Sequence, residues 1–203
     1  MIKTLLLAAL LFPAAPLAAQ DRAGVFDYWL LALTWTPSWC AAEGAWDQAE
    51  CQRGLGFTLH GLWPQHADGW PEYCETEARD PSRRQTGAMT DVMGSGGLAF
   101  YQWKKHGRCS GLSAESYFAT ARRLYEALDL PVPEDGRATA GAVEAAFLEA
   151  NPVLTPESVI VTCGDGRVEE VRICLNRDLS PRPCPEVDRA ACRAKSIEQP
   201  PIR

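Results

Sequence analysis

Two histidines, His60 and His106, are the side chains of this 203-residue chain best suited to proton transfer. His60 lies in the segment FTLHGLWPQH together with Trp63, and His106 follows a lysine pair that ends at Lys105. An imidazole titrates near neutral pH, so two of them can supply an acid and a base under the same conditions. A lone histidine is more often a surface or core residue, but here both have chemically suitable neighbours. The pattern predicts acid–base chemistry if the fold brings the two segments together.

The first histidine is expected on a β-strand. Residues 26 to 36 are aromatic, aliphatic and β-branched, which predicts a largely buried strand. The segment GFTLHGLW then alternates, with Phe57 and Leu59 on one face and Thr58 and His60 on the other. His60 should therefore point away from its apolar neighbours.

The second histidine is expected at the end of a short helix, LAFYQWKKHG. Its last residue, Gly107, occupies the position where a left-handed glycine commonly ends a helix. At helical spacing Gln102, Lys105 and His106 lie toward one side. Trp103, one position away, should pack inward.

The remaining elements are more helices and a hairpin. Helices are predicted over residues 82 to 93, 113 to 130 and 139 to 150, the second with the clearest apolar stripe. SVIVTCGDGRVEEVRICL reads as a hairpin that turns at Asp165-Gly166. Together the elements predict an α+β fold, with an antiparallel β-sheet flanked by several α-helices.

The N-terminus indicates export. Residues 1 to 19 have the layout of a cleavable secretory signal, with one cation, Lys3, then an apolar run and small residues. The run is shorter than the roughly 20 residues that span a bilayer. We expect residues 20 to 203 to form a single exported domain with no membrane segment. The net charge of −6 gives no general attraction to a polyanion, so any binding of nucleic acid must depend on local charge.

The eight cysteines are an even number, and export makes disulfides their default state. A zinc site is less favoured because no two cysteines have the C-x2-C to C-x4-C spacing of structural zinc motifs. The fold is therefore expected to be reinforced by disulfides. Eight cysteines allow 105 pairings, so cysteine count alone leaves the connectivity open.

The segments FTLHGLWPQ and FYQWKKHGRC resemble the two active-site segments of the ribonuclease T2 family, which read HGLWP and EW-x-KHGTC. DYWLLALTWTPSWC resembles the opening strand of that family, and EVRICLNRDLSPRPCP its closing strand and loop. The resemblance runs from about residue 26 to residue 192. It implies a secreted endoribonuclease that cleaves single-stranded RNA through a 2′,3′-cyclic phosphate.

The resemblance also implies roles for three residues. His106 would be the general base that removes the 2′-hydroxyl proton, His60 the general acid that protonates the departing 5′ oxygen, and Lys105 the cation that stabilises the phosphate. DNA lacks the attacking hydroxyl and should not be cut. No metal or other cofactor is expected, RNA is the expected partner, and the protein should be a monomer.

Two positions depart from the family pattern. Tyr101 and Gln102 stand where the family commonly has histidine and glutamate. Gln102 keeps hydrogen bonding but has no charge, and we expect a modified site that still works. Tyr101 either donates to a phosphate oxygen or simply packs. Arg108 replaces the usual threonine and either binds the phosphate backbone or is a solvated surface arginine.

Two further residues are expected to bind substrate. Trp63 is either a core residue or a platform on which a base stacks, and the resemblance favours stacking. Gln65 lies where some family members have an aspartate that reads a base, which leaves the base preference open. The third histidine, His66, is interpreted as a surface loop residue, with a part in catalysis as the alternative.

The disulfide pairing is implied by the resemblance. Cys74 with Cys109 would clamp the two active-site segments together, and the other expected pairs are Cys40–Cys51, Cys163–Cys192 and Cys174–Cys184. Two other functions remain open: a secreted RNA- or protein-binding member of the same scaffold with impaired catalysis, and a metal-dependent hydrolase. Export could lead to the periplasm or to the medium.

Overall fold

A computed structural model describes residues 22–44, 48–132, 136–184 and 188–203. The predicted signal, residues 1 to 19, lies outside the described residues. The strands are β1 Tyr28–Trp35, β2 Phe57–Gln65, β3 Gly136–Ala138, β4 Val159–Gly164, β5 Arg167–Leu175 and β6 Ile197–Gln199. The α-helices are α1 Thr36–Ala42, α2 Arg83–Gly87, α3 Thr90–Met93, α4 Gly96–Lys105, α5 Ala114–Glu126 and α6 Ala140–Ala150. Short 3₁₀ turns cover Gly107–Ser110, Pro156–Ser158 and Asp188–Ala190.

The sheet is built mainly from antiparallel pairs. The strands β2, β1, β5 and β4 lie side by side in that order, each antiparallel to its neighbour. The short strand β6 meets β5 in a parallel pair at Arg167 and Glu198, and β3 is antiparallel to β6. The predicted α+β class, a mostly antiparallel sheet with several helices, is confirmed.

One face of the sheet packs against the helices and forms the main core. Its strand side chains include Leu31, Leu33, Leu59, Val171 and Ile173, which meet Trp103 of α4, Tyr117 of α5 and Phe147 of α6. The buried hydroxyl of Tyr117 donates a hydrogen bond of 2.9 Å to the carbonyl of Leu62 on β2. The prediction that Trp103 packs inward is confirmed, since it is fully buried.

A β-bulge interrupts the pairing of β1 with β2. Leu33 pairs with Leu59 and Ala32 pairs with Gly61, so His60 has no opposite residue. An extra residue of this kind disrupts the ladder locally and re-aims the side chains that follow it.

This bulge decides which side chains of β2 share a face. Leu59 and Leu62 are both in the main core, although strict alternation would place them on opposite faces. His60 and Trp63 consequently lie together on the other face, with their ring centroids 5.2 Å apart. The prediction that His60 points away from its apolar neighbours is confirmed, and Trp63 joins it only because of the bulge.

A second bulge occurs between β4 and β5. Thr162 pairs with Glu170 and Cys163 pairs with Val168, which leaves Glu169 without an opposite residue. Val168 and Val171 both face the core as a result. Glu170 lies on the opposite face, the same face as His60.

Most predicted elements form, with one helix split. Instead of one helix over 82 to 93, α2 and α3 are separate, and Ser82 with Gln85 makes a capping box at the start of α2. The predicted hairpin is confirmed. Its turn has positive φ at both Asp165 (49°) and Gly166 (75°), as a type I′ turn requires.

The expected left-handed conformation of Gly107 is wrong. Gly107 does not have a positive φ and begins the 3₁₀ turn after α4, whereas Gly111 at the end of that turn has φ 75°. A Cβ on Gly107 would lie 2.5 Å from Cε3 of Trp103 and 3.1 Å from Cε1 of Tyr117. The glycine is therefore required by close packing and not by backbone conformation.

All four disulfides have the expected connectivity. The pairs are Cys40–Cys51, Cys74–Cys109, Cys163–Cys192 and Cys174–Cys184. Four bridges fit an exported protein. Among the described residues no helix has the length and apolar character needed to cross a membrane.

Candidate active site

His60 is held by a buried carboxylate. Its Nδ1 is hydrogen-bonded to Oε1 of Glu170, whose side chain is almost fully buried. The other carboxylate oxygen of Glu170 accepts a hydrogen bond from Nε of Arg172 at 2.7 Å and forms an ion pair with its Nη2 at 2.6 Å. Burial alone would raise the pKa of Glu170, but its hydrogen bond with His60 and the charge of Arg172 outweigh burial and lower that pKa.

His106 lies at the C-terminal cap of α4 and is 6% exposed. Its ring stacks on Trp63, with centroids 5.1 Å apart and an interplanar angle of 30°. Within the described residues its Nδ1 has no hydrogen-bond partner. Burial, together with the charges of Lys105 and His60, lowers the pKa of His106 from 6.5 to about 3. This imidazole is therefore neutral at ordinary pH and able to accept a proton.

Trp63 stands between the two histidines. It contacts His60 edge-on and stacks on His106, while the guanidinium of Arg172 lies 5.6 Å from the centre of its ring. Its Nε1 donates a hydrogen bond of 2.7 Å to Oε1 of Gln102. The indole is thus held from several sides, and it sets the spacing between the two imidazoles.

Gln102 is a structural partner of that indole. It is 1% exposed and fills the space beside Gly61. A Cβ on Gly61 would lie 2.5 Å from Oε1 of Gln102 and would also overlap Nε1 of Trp63. The glycine that follows His60 therefore allows the hydrogen bond between Trp63 and Gln102 to form.

Lys105 is tied to the loop that follows β2. Its Nζ lies 3.5 Å from Oε2 of Glu72, and its backbone carbonyl accepts a hydrogen bond of 2.8 Å from the backbone N–H of Tyr73. Tyr73 has the left-handed φ of 53°, and the bridge from Cys74 to Cys109 follows at once. These contacts hold the loop against the end of α4.

A cavity of about 390 Å³ opens between these groups. Of the predicted catalytic and substrate-binding residues, it is lined by His60, Trp63, Gln65, Tyr101, Gln102, Lys105 and His106. It is also lined by Tyr28, Leu30, Gly69, Trp70, Arg172, Arg189 and Ala190. The fold therefore brings together both predicted segments, and Lys105 of the second segment lines the same cavity. Among the described residues no group of three or more His, Cys, Asp or Glu side chains is arranged to hold a metal ion.

The predicted substrate-binding residues differ in accessibility. Tyr101 is 48% exposed at the cavity mouth, whereas Gln65 is buried and donates to the carbonyl of Pro64 at 2.9 Å. Arg108 does not line the cavity. It forms two hydrogen bonds from its Nη2, 2.7 and 2.8 Å, to the carboxylate of Asp80.

The surroundings of Arg108 match those of a structural ion pair. Trp103 also donates to Asp80, from Nε1 at 2.8 Å. The hydrogen bond from Arg108 lowers the pKa of Asp80, with smaller contributions from Trp103 and Lys104. The third histidine, His66, lies on the loop after β2, with Nδ1 3.9 Å from Oδ2 of Asp27.

Sequence reasoning missed Glu170 and Arg172. Both belong to a strand, RVEEVRICL, whose other residues are mainly apolar. Two charged residues spaced two apart in such a strand are a signal of a paired, buried charge. The partner of Glu170 lies 110 positions earlier in the chain, so no local pattern connects the two.

Comparison with known proteins identifies the family. The profile of the ribonuclease T2 family matches residues 26–132, more than half of the chain. A ribonuclease from Aeromonas hydrophila is 41% identical over 128 residues, which are 62% of this chain and 58% of that protein. A probable ribonuclease from Haemophilus influenzae is 32% identical over 127 residues, which are 55% of this chain and 47% of that protein. The chain thus matches about half the length of these relatives.

The fold has a counterpart among solved structures. The RNase-related protein from Calystegia sepium superimposes with a TM-score of 0.69 at 23% sequence identity. The superposition covers 88% of this chain and 98% of that one, and at this identity it supports the fold alone. The family profile and the two bacterial relatives carry the assignment further: the chain belongs to the ribonuclease T2 family.

Proposed function

We propose that this protein is an exported endoribonuclease that cleaves single-stranded RNA by attack of the 2′-hydroxyl on the adjacent phosphate. The observation that carries this proposal is the pair of imidazoles on either side of Trp63 in one cavity. One of them, His106, is buried and neutral, and the other, His60, is hydrogen-bonded to a carboxylate. Lys105 supplies a cation at the same cavity.

His106 is proposed as the general base. It removes the proton of the 2′-hydroxyl, and the 2′ oxygen then forms a bond to phosphorus. A pKa of about 3 gives a base that is always available but weak, because proton transfer is most efficient when the pKa lies near the working pH. An anionic phosphate beside the ring would favour its protonated form, and binding of substrate would therefore strengthen the base.

His60 is proposed as the general acid. As the bond between phosphorus and the 5′ oxygen breaks, the imidazolium gives its proton to that oxygen. The products are a 2′,3′-cyclic phosphate and a free 5′-hydroxyl, so one proton is taken by His106 and one is released by His60. Water can then open the cyclic phosphate more slowly with the two roles reversed. Lys105 stabilises the charge that accumulates on the phosphate oxygens.

The remaining residues of the site are proposed to bind the substrate or to hold that site in place. Trp63 offers its indole as a stacking surface for a base, and Gln65 and Tyr101 line the same cavity. Gln102, buried and bonded to the indole, keeps Trp63 in place without contributing charge. The mechanism uses only side chains, so we propose that it needs no metal. It requires a 2′-hydroxyl, so we propose that DNA is not a substrate. We also propose that the exported protein acts as a monomer in the periplasm or medium.

The test is cleavage of a series of RNA dinucleotides by the oxidised protein in the presence of a chelator. Wild type should release 2′,3′-cyclic phosphate, and His60→Ala and His106→Ala should each lose about 10²–10⁴-fold in kcat, the usual contribution of a positioned acid or base. His66→Ala, on the loop outside this mechanism, is the matched histidine control and should retain full activity.

The alternative function is a secreted RNA- or protein-binding protein on this scaffold without catalysis. The neutral amide of Gln102, where the family commonly has a carboxylate, is the observation that favours it. It would be supported if wild type bound RNA tightly but released no cyclic phosphate. A metal-dependent hydrolase would be supported if activity appeared only without chelator.

A further inference from the structure

The carboxylate of Glu170 contacts the ring of one proposed catalytic histidine, His60, but it is buried and does not line the cavity of the candidate active site, so it is not placed to act on RNA directly. We propose that Glu170 is a positioning residue, which fixes the ring of His60 so that Nε2 faces the scissile phosphate, and that Arg172 holds Glu170 in the required orientation. The inference rests on the proposed function for its consequence in catalysis. The contact itself is a property of the fold.

The hydrogen bond determines how the His60 ring is used. An ionised carboxylate only accepts hydrogen bonds, so Nδ1 of His60 must be the donor to Glu170. Nδ1 is thereby occupied, and Nε2 is the nitrogen left to carry a proton to the leaving group. The bond also restricts rotation of the ring about its side-chain torsions, because turning the ring away from Glu170 would leave the buried carboxylate with one oxygen unpaired.

Glu170 is itself held rigidly. The residue is 4% exposed, and Arg172 donates a hydrogen bond from Nε to Oε2 and forms an ion pair with the same oxygen through Nη2, which leaves Oε1 for His60. Charged hydrogen bonds of this kind are stronger than neutral ones and compensate for burial of the carboxylate. Arg172 also lies over the ring of Trp63, on which His106 stacks. The same guanidinium therefore contacts both the carboxylate that holds His60 and the indole that contacts His106.

The backbone at Glu170 is among the best-supported segments of the sheet. Glu170 pairs with Thr34 of β1 on one side and with Thr162 of β4 on the other. The neighbouring bulge at Glu169 places Glu170 on the cavity face while Val171 remains in the core. A group that orients a proton donor is most effective on such a rigid element.

The experiment separates positioning of the acid from general damage by using two substrates. One is the RNA dinucleotide that wild type cleaves fastest. The other is the 3′-(4-nitrophenyl phosphate) ester of the same nucleoside, whose leaving group departs without a proton. Glu170→Gln should lower kcat on the dinucleotide about 10²-fold, the cost of a misplaced catalytic group, with KM nearly unchanged. Activity on the aryl ester should stay within about threefold of wild type, because departure of this group needs no protonation by His60.

Glu169→Gln is the matched control. It makes the same chemical change one residue away, at an exposed carboxylate whose Oε2 lies 3.5 Å from Oγ1 of Thr162. It should leave both activities unchanged. Equal losses on both substrates by a folded Glu170→Gln protein, or no loss on either, would overturn the inference.

Two further measurements keep the inference testable if that variant folds poorly or if wild type cleaves nothing. Glu170→Asp keeps the charge but withdraws the carboxylate by one methylene, and should show the same selective loss on the dinucleotide. Nitrogen NMR at a pH high enough for the His60 ring to be neutral should show one tautomer, with the proton on Nδ1, in wild type and mixed tautomers in Glu170→Ala. A mixture already present in wild type refutes positioning by Glu170. A fixed tautomer in a wild type that cleaves neither substrate refutes the proposed function and leaves the contact standing.

Discussion

Acidification should destabilise this protein through His106, and the effect can be isolated by a single substitution. The pKa of His106 is about 3 in the folded protein because the ring is buried, next to Lys105 and His60, against 6.5 for an ordinary histidine. Between these two values the unfolded chain binds a proton that the folded protein does not. The free energy of unfolding therefore falls as pH is lowered through this window.

The size of the effect follows from the two pKa values. At pH 8 the histidine is neutral in both states and contributes nothing. At pH 5 protonation of the unfolded chain lowers the free energy of unfolding by about 2 kcal/mol, and near pH 3 by about 4 kcal/mol. His106→Phe removes the titrating group but keeps an aromatic ring for stacking on Trp63.

The assay is urea unfolding at pH 8 and at pH 5, with disulfides intact, for wild type and His106→Phe. Wild type should lose about 2 kcal/mol more than the variant between the two pH values. Asp80, Asp91 and Glu170 also have lowered pKa values and weaken both proteins in acid, but their contributions cancel in the comparison. Equal losses in the two proteins would show that His106 is protonated as readily when folded as when unfolded. Burial would then not keep the proposed base neutral.

Two glycine substitutions should test the packing of the candidate site and the packing of the core independently. Gly61→Ala places a Cβ 2.5 Å from Oε1 of Gln102, so the hydrogen bond from the indole breaks and dinucleotide cleavage should fall at least tenfold while the protein stays folded. Gly107→Ala places a Cβ 2.5 Å from Trp103 in the core, and overpacking of this kind should lower the free energy of unfolding by about 1–3 kcal/mol in urea titration. Gly141→Ala, on an exposed turn of α6 with open space around it, is the control for both and should unfold at slightly higher urea. Full activity of Gly61→Ala, or unchanged stability of Gly107→Ala, would contradict the close contacts at these two glycines.

Much of the fold could be predicted because its signals are local. The strand with β-branched and aromatic residues near the N-terminus, the amphipathic α5 and the Asp165-Gly166 turn all formed as expected. Each depends on periodicity or turn chemistry within a few residues. The glycine after His106 was misjudged because its reason, contact with Trp103 and Tyr117, comes partly from another helix.

The candidate site was predictable in its components and not in its arrangement. The segments that hold His60 and His106 could be recognised from residue type and from resemblance to a family. The face of the sheet on which Trp63 lies could not be predicted from the strand pattern, because strict alternation would place this side chain in the core. The extra residue in β2 reverses that outcome, and it depends on the register with β1 and on the hydrogen bond from Tyr117 of α5 to the carbonyl of Leu62.

The sequence by itself determined the chemical groups: two imidazoles, one lysine, an indole, and cysteines whose pairing the family resemblance implied. Only the tertiary structure decided how they act together. Burial in the folded protein lowers the pKa of His106 and keeps its ring neutral. Arg108 pairs with Asp80 outside the cavity, and Glu170 contacts His60 from a strand that is distant in the sequence. The physical reason is that burial, strand register and hydrogen bonds between distant residues depend on the packing of the whole chain, whereas residue type and spacing are local properties.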